Sequence, residues 1–371
     1  MKVLVTGHLG YIGVEAISLF RAAGHDVTGL DTGLYNECDF VSPPDPVDSL
    51  SVDLRDVTKE HLAGFDAVAH FAALSNDPLG DLNPSITYDI NQHASIRLAR
   101  AAKSAGVSRF LFSSSCSLYG AGQDDLLDES APFHPVTAYG ESKIRVEQAL
   151  AHLADDAFSP IYFRNATAYG VSRRLRADIV VNNLVGYAVT TGKVLLQSDG
   201  TPWRPLVHLR DIIAAYVSAL TAPRDKVHNQ AFNIGRPGEN YQIRDVARLV
   251  AEVVPNCTVA FAPGASADAR NYRVSFAKAE AGLPGFHPTW TLKAGIEELY
   301  RAYTGARLTS AEFLGPRYYR LKTVKRLQAE GRLTDELRWV NAAAARPPEP
   351  PQVTLSAGPR DQHPFTTNGN K

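Results

Sequence analysis

The chain has 371 residues, 44% of them hydrophobic and 21% charged, enough for a sizeable core and too apolar for a disordered chain. Lys and Arg number 38 against 39 Asp and Glu, a net charge of −1 that gives no electrostatic case for nucleic acid as the main partner. The three cysteines, Cys38, Cys116 and Cys257, are scattered and form no CxxC pair, so neither a disulfide framework nor a metal site is expected.

No apolar run reaches the ~18 residues of a membrane span, and the opening run is too short for a signal peptide, so a cytoplasmic protein with no membrane partner is expected. Residues 3–6 read as a strand, 11–23 as a helix, 25–31 and 66–72 as strands and 83–105 as a helix. Residues 107–114 read as a strand, 137–154 as a helix and 158–164 as a strand. This β-α-β alternation predicts the α/β class, a Rossmann-type doubly wound parallel sheet over residues 1–170, binding its ligand beyond the strand carboxyl ends. Beyond residue 170 the rhythm loosens. Helical pieces at 178–191, 209–220 and 243–254 mix with short strands, which predicts a smaller mixed α/β substrate lobe over 171–303, with pieces from about 207–235 recruited to the first domain. Residues 304–340 are basic and helix-like, and 341–371 form a Pro-rich tail expected to be disordered.

The segment TGHLGYIG, residues 6–13, lies between the first strand and first helix and spaces Gly7, Gly10 and Gly13 three apart. A dinucleotide diphosphate needs backbone N–H groups at a helix N-terminus, and glycine permits that close approach around Tyr11 and Ile12. The second strand ends in Asp31, 18 residues after Gly13, placed to bond ribose hydroxyls and to repel a 2′-phosphate, so NAD is expected as cofactor. Asp53, followed by Leu54, is a candidate for the adenine end, against the alternative of a solvated turn aspartate.

Tyr139 and Lys143 lie four apart at the start of a helix, hence on one face. A phenol of pKa ~10 is a poor base unless a nearby cation lowers it. Ser113 and Ser115 stand at the carboxyl end of a strand, facing the same cleft as the phosphate loop, where a hydroxyl can shuttle a proton to the tyrosine.

Together these motifs resemble the extended short-chain dehydrogenase/reductase family, in its nucleotide-sugar epimerase and dehydratase branch. The resemblance covers about residues 1–303. It implies Ser115, Tyr139 and Lys143 as the catalytic set. It places Phe71, Ala72 and Ala73 of HFAA beneath the cofactor, with Asn91 and Ser113 beside it. NN at 182–183 and WRPLVHLRD at 203–211 resemble the epimerases' substrate elements, giving Asn183 and the diphosphate-binding Arg204, with Arg270 as a second arginine. Ser75 and Thr167 join the substrate set, Thr167 standing where the family often has asparagine. Leu74, Ser75, Asn76 and the 171–180 loop are expected to close the pocket. Dehydratases of the branch carry Asp-Glu after the catalytic hydroxyl residue; Cys116 and Ser117 stand there instead, which disfavours water elimination. In 3,5-epimerase relatives a cysteine stands two before the tyrosine; Cys116 is three before Tyr119 and is expected to face the core.

The resemblance implies a nucleotide-diphosphate sugar as substrate, epimerisation at C4 through a transient 4-keto sugar, and a homodimer through helices around 83–105 and 137–154. The rivals are an NAD(P)H-dependent 4-ketosugar reductase and a non-catalytic dinucleotide sensor.

Overall fold

The computed structural model describes residues 1–75, 83–266 and 270–341; Asn76 and the tail from 342 lie outside them. The strands among these residues, in chain order, are β1 (Lys2–Thr6), β2 (Asp26–Asp31), β3 (Ser49–Ser51), β4 (Ala67–His70), β5 (Arg109–Ser115), β6 (Ala121–Leu127) and β7 (Ser159–Asn165). They continue with β8 (Thr167–Tyr169), β9 (Lys193–Ser198), β10 (Trp203–His208), β11 (Gln230–Ile234), β12 (Asn240–Gln242), β13 (Thr258–Ser266) and β14 (Asn271–Val274). Seven make one parallel sheet in the order β11-β7-β5-β4-β1-β2-β3. Its central strands are unbroken apolar runs because helices cover both faces: Val3, Leu4 and Val5 of β1 are fully buried. The order reverses between β1 and β4, and a crevice opens at the carboxyl ends there.

The expected helix at 83–105 is a composite. An α-helical turn (Pro84–Thr87) capped by Asn83 leads into a π-helical stretch (Tyr88–Ala94) and then a regular helix (Ser95–Ser104). π-bulges commonly mark functional sites, and Asn91 sits in this one. The edge strand β3 was not expected, since Ser49-Leu50-Ser51 carries no apolar run.

The second lobe holds the β12-β10-β8 sheet and the β13-β9 pair, covered by helices Val180–Thr191, Ile243–Val253 and Leu292–Gly305. The chain crosses between lobes. After β10 the helix Leu209–Thr221 returns to the first lobe and buries Leu209, Ile212, Ile213, Tyr216 and Leu220, at helical spacing, in one core with Ile17 and Phe20. β11 then completes the large sheet against β7.

From residue 304 to 341 the chain forms two short helices and a turn. Helix Ser310–Leu314 starts at a Thr309/Glu312 capping box. Its Phe313 fills the second-lobe core, where a methyl at position 186 would lie 2.0 Å from the ring. Helix Arg320–Ala329 follows, and Val324 packs with Leu74 and Ile86 of the first lobe.

The helix Ala138–Leu153, capped by Thr137, is pinned to β7 by a buried ion pair. Arg164 Nη2 meets Glu147 Oε2 at 2.7 Å, with the two side chains only 6% and 7% exposed. Removing one partner leaves an uncompensated buried charge, whereas removing both does not. Arg164→Met should therefore lower stability by about 3–5 kcal/mol, and Arg164→Met with Glu147→Leu should recover most of that in urea unfolding. A double variant as unstable as the single would show that packing, not charge, sets the cost.

Candidate active site

The crevice between the lobes is a cleft of about 900 Å³. Gly7, Gly10, Tyr11, Ile12 and Gly13 form one end. There helix Gly13–Ala22 begins, with Val14 N bonded back to Gly10 O (3.1 Å) and Ala16 N to Ile12 O (2.9 Å), and its N-terminal end, the positive end of its dipole, lies at the loop. Gly7 adopts φ +73° with its Cα side pressed on Ala72, so the loop and the β4 exit (Phe71, Ala72, Ala73) touch without side chains between them. Beneath them His70 is held between Thr6 Oγ1 (2.6 Å) and Ser95 Oγ (2.8 Å). Burial, aided by Lys143, pulls its pKa to about 3, so it stays a neutral structural bridge.

Asp31 lines the cleft and accepts N–H bonds from Leu9 (3.0 Å) and Gly33 (2.9 Å), which orient its carboxylate at the end of β2. A carboxylate so placed, with the glycine cradle beside it, fits the ribose and diphosphate of a dinucleotide. Asp53 and Leu54 line the same end. Asp53 is no solvated turn residue: Arg55 Nη2 reaches it at 2.7 Å and Arg55 Nε at 2.9 Å. Asn91 is not among the residues that line the cleft. It lies beneath the wall, with its amide spent on Leu74: Leu74 N donates to Oδ1 (2.8 Å) and Nδ2 donates to Leu74 O (3.0 Å). It positions the wall rather than forming it.

Ser113, Ser115, Tyr139 and Lys143 line the same cleft. Ser115 ends β5 and caps the turn Cys116–Tyr119, its Oγ accepting from Ser117 N (3.1 Å) and Ser117 Oγ (2.9 Å). Lys143 Nζ sits 5.4 Å from the Tyr139 ring centroid and donates to Ser113 O at 2.7 Å. Ser113 Oγ accepts from Asn165 Nδ2 at 3.1 Å. Burial pulls the Lys143 pKa from its ordinary 10.5 to about 7, against a smaller opposing effect of Glu147. The amine is therefore poised to exchange its proton near neutrality rather than standing as a fixed charge.

The opposite wall comes from the second lobe. Arg204 on β10 is buried and donates from Nη1 to Trp203 O (2.8 Å) and to the backbone carbonyl of Arg270, and both arginines line the cleft. Thr167 opens β8 in the same cleft. Ser75 and Asn183 also line it with partners in place: Arg176 Nη1 donates to Ser75 Oγ (3.0 Å), and Asn183 Nδ2 donates to Ala177 O (2.7 Å) and Tyr319 Oη (2.8 Å). Arg176 belongs to the 171–180 loop expected there, whereas several other lining residues were not anticipated: Ser117, Asn165, Tyr319 and Arg320. The last two come from the C-terminal segment, and no local motif announces them.

Cys116 turns into the core, 1% exposed, its Sγ donating to Arg164 O at 3.1 Å, and burial pushes the thiol pKa far up. Cys116→Ala should keep turnover within about tenfold, and iodoacetamide should leave the native thiol unmodified at pH 8. For Lys143 the folded pKa lies below the unfolded one. Between pH 7 and 10.5 the unfolded chain binds the extra proton, so stability rises with pH across that window. Lys143→Met removes this cost. Its melting temperature relative to the unsubstituted protein should be most favourable near pH 6 and lose that advantage toward pH 10; a difference independent of pH would contradict the depressed pKa.

A sequence model of the NAD dependent epimerase/dehydratase family matches residues 3–235. The UDP-glucose 4-epimerase of Corynebacterium glutamicum is 30% identical over 323 residues, spanning 82% of this chain and 96% of that protein. The UDP-glucose 4-epimerase of Bacillus subtilis is 27% identical over 330 residues, 81% of this chain and 94% of that one. Among solved structures, MoeE5 in complex with UDP-glucuronic acid and NAD matches at TM-score 0.72 and 27% identity, over 82% of this chain and 100% of that chain. The Thermus thermophilus UDP-glucose 4-epimerase complex with NAD shares the fold, at TM-score 0.69 and 24% identity over 82% of this chain and 100% of that chain. No helix among the described residues is long and apolar enough to cross a membrane. With the glycine cradle, Asp31 and the Tyr139/Lys143 pair in one cleft, the chain belongs to the NAD-dependent epimerase/dehydratase family, and its cofactor is NAD.

Proposed function

We propose that the protein is a nucleotide-sugar epimerase that inverts C4 through a transient 4-keto sugar. The observation that supports this reading is the shared cleft: Ser115, Tyr139 and Lys143 line it together with Arg204 and Arg270. The named relatives act on UDP-glucose, so UDP-hexoses are the first substrates to try.

NAD, when bound, supplies the hydride acceptor and the hydride donor. The chain's own residues do the rest. Tyr139 takes the proton of the sugar hydroxyl, and Lys143, 5.4 Å from the ring, favours the phenolate when protonated. Ser115 holds the same hydroxyl; its Oγ already accepts from Ser117, which leaves its own O–H to point toward the tyrosine or the substrate. Arg204 and Arg270 grip the diphosphate while the keto ring presents its other face. Ser117 follows Cys116 where an eliminating enzyme needs an acid and a base. The Cys116 thiol is buried and Ser117 is committed to Ser115, so water loss has no machinery at these positions.

The test is proton NMR of the purified protein with UDP-sugars in deuterated water and no added cofactor. A new 4-epimer free of deuterium at C3, C4 and C5 is expected. Turnover of a 4-keto sugar only, and only with NADH added, would make the protein a reductase. Tyr139→Phe should lower kcat by about 10²–10⁴ while NAD remains bound.

A further inference from the structure

About four-fifths of this chain covers nearly the full length of its relatives, so close to a fifth of it has no counterpart in them. Part of the C-terminal segment enters the cleft. Arg320, the first residue of helix Arg320–Ala329, is 3% exposed and lines the cofactor end. Its guanidinium carbon stands 4.1 Å from the ring centroid of Tyr35, on the loop that follows Asp31. Nη2 donates to Arg174 O at 3.0 Å. Nη1 is buried with no acceptor among the described residues, as is Arg174 Nε. Buried N–H groups without acceptors are costly and uncommon.

The segment that anchors Arg320 lies against the diphosphate end of the first helix. Tyr11 Oη donates to Gly170 O (2.7 Å), and Ser172 Oγ donates to Tyr11 O (2.8 Å). The acids nearby have partners of their own. Asp39 pairs with Arg174 (3.0 Å), Asp178 pairs with Arg176 (2.9 Å) and also lies in the field of Arg320, and Asp31 accepts the N–H groups of Leu9 and Gly33. Arg320 itself makes no ion pair among the described residues.

We infer that Arg320 is a ligand for the diphosphate of the dinucleotide, delivered by the C-terminal segment. A guanidinium stacked on Tyr35 is preorganised, and its fork suits diphosphate oxygens. The same segment then ties down the loops around the adenosine end: Arg55 donates to Glu336 O (2.7 Å), and Trp339 Nε1 donates to Thr32 O (2.8 Å). The cofactor is thereby held by residues on both sides of its diphosphate. This rests on the cleft being the NAD site, but not on which reaction occurs there.

The test is calorimetric titration of the full-length protein, freed of copurified nucleotide, with NAD, ADP-ribose, adenosine and UDP-glucose. Arg320→Gln should weaken NAD and ADP-ribose alike by about ten- to a hundredfold and leave adenosine within about twofold. Arg320→Lys, which keeps the charge but not the fork, should fall between; should the glutamine variant fail to fold, the same comparison is read on the lysine variant. Equal weakening of adenosine would assign Arg320 a structural role and overturn the inference. So would unchanged NAD affinity, and so would a loss confined to UDP-glucose, which would give the arginine to the other diphosphate.

Discussion

A methyl group at position 13 would lie 2.1 Å from the carbonyl oxygen of Gly7, and one at position 7 would lie 2.7 Å from Ala72 N. The first helix can therefore start where it does only because two side chains are missing, and the exit of β4 can pass over the loop only for the same reason. Everything downstream depends on that closeness. It sets the position of Phe71, Ala72 and Ala73, and it leaves the helix N-terminus facing the cleft rather than another side chain. Asn91 then fixes the next step of the wall by bonding both polar atoms of its amide to Leu74.

The buried charges in and around the cleft follow a second constraint, that buried ions need partners. Arg164 and Glu147 satisfy it by pairing, and so do Arg176 and Asp178. Lys143 satisfies it differently. It has a carbonyl and two aromatic rings around it and, among the described residues, no carboxylate in ion-pair contact, and burial lowers its pKa. A lysine of that kind suits a reaction in which a hydroxyl proton leaves and must later return.

What could be read from the sequence was local. The β-α-β order, the loop at 6–13, Asp31 at the end of β2 and the four-residue step from Tyr139 to Lys143 are each written within about 30 residues, and the structure gathers them in one cleft. What could not be read was of two kinds. Ser49–Ser51 forms a strand because β2 offers it an open edge, not because its residues alternate. Helix Leu292–Gly305 carries a readable pattern in Leu292, Ile296, Leu299 and Tyr303 beneath a Thr291 cap, yet lies outside the helical pieces expected for its lobe. The partners of Asp53, Ser75, Asn183 and Arg320 were beyond reach for another reason. Only tertiary packing decides which donor meets which acceptor, and Arg320 meets Arg174 across 146 residues of chain.

The crossing of the chain between the lobes has a consequence for how the molecule is made. The large sheet waits for β11, whose residues are 230–234, so its outer edge along β7 stays open until nearly two-thirds of the chain has emerged from the ribosome. Strand edges that wait in this way are prone to wrong pairing. The second lobe waits longer, for Phe313, and Arg320, which lines the cleft, arrives later still. Synthesis thus builds the phosphate loop first and the residues that enclose it last, and the newborn protein passes through a stage in which its cofactor cradle exists but has no far wall.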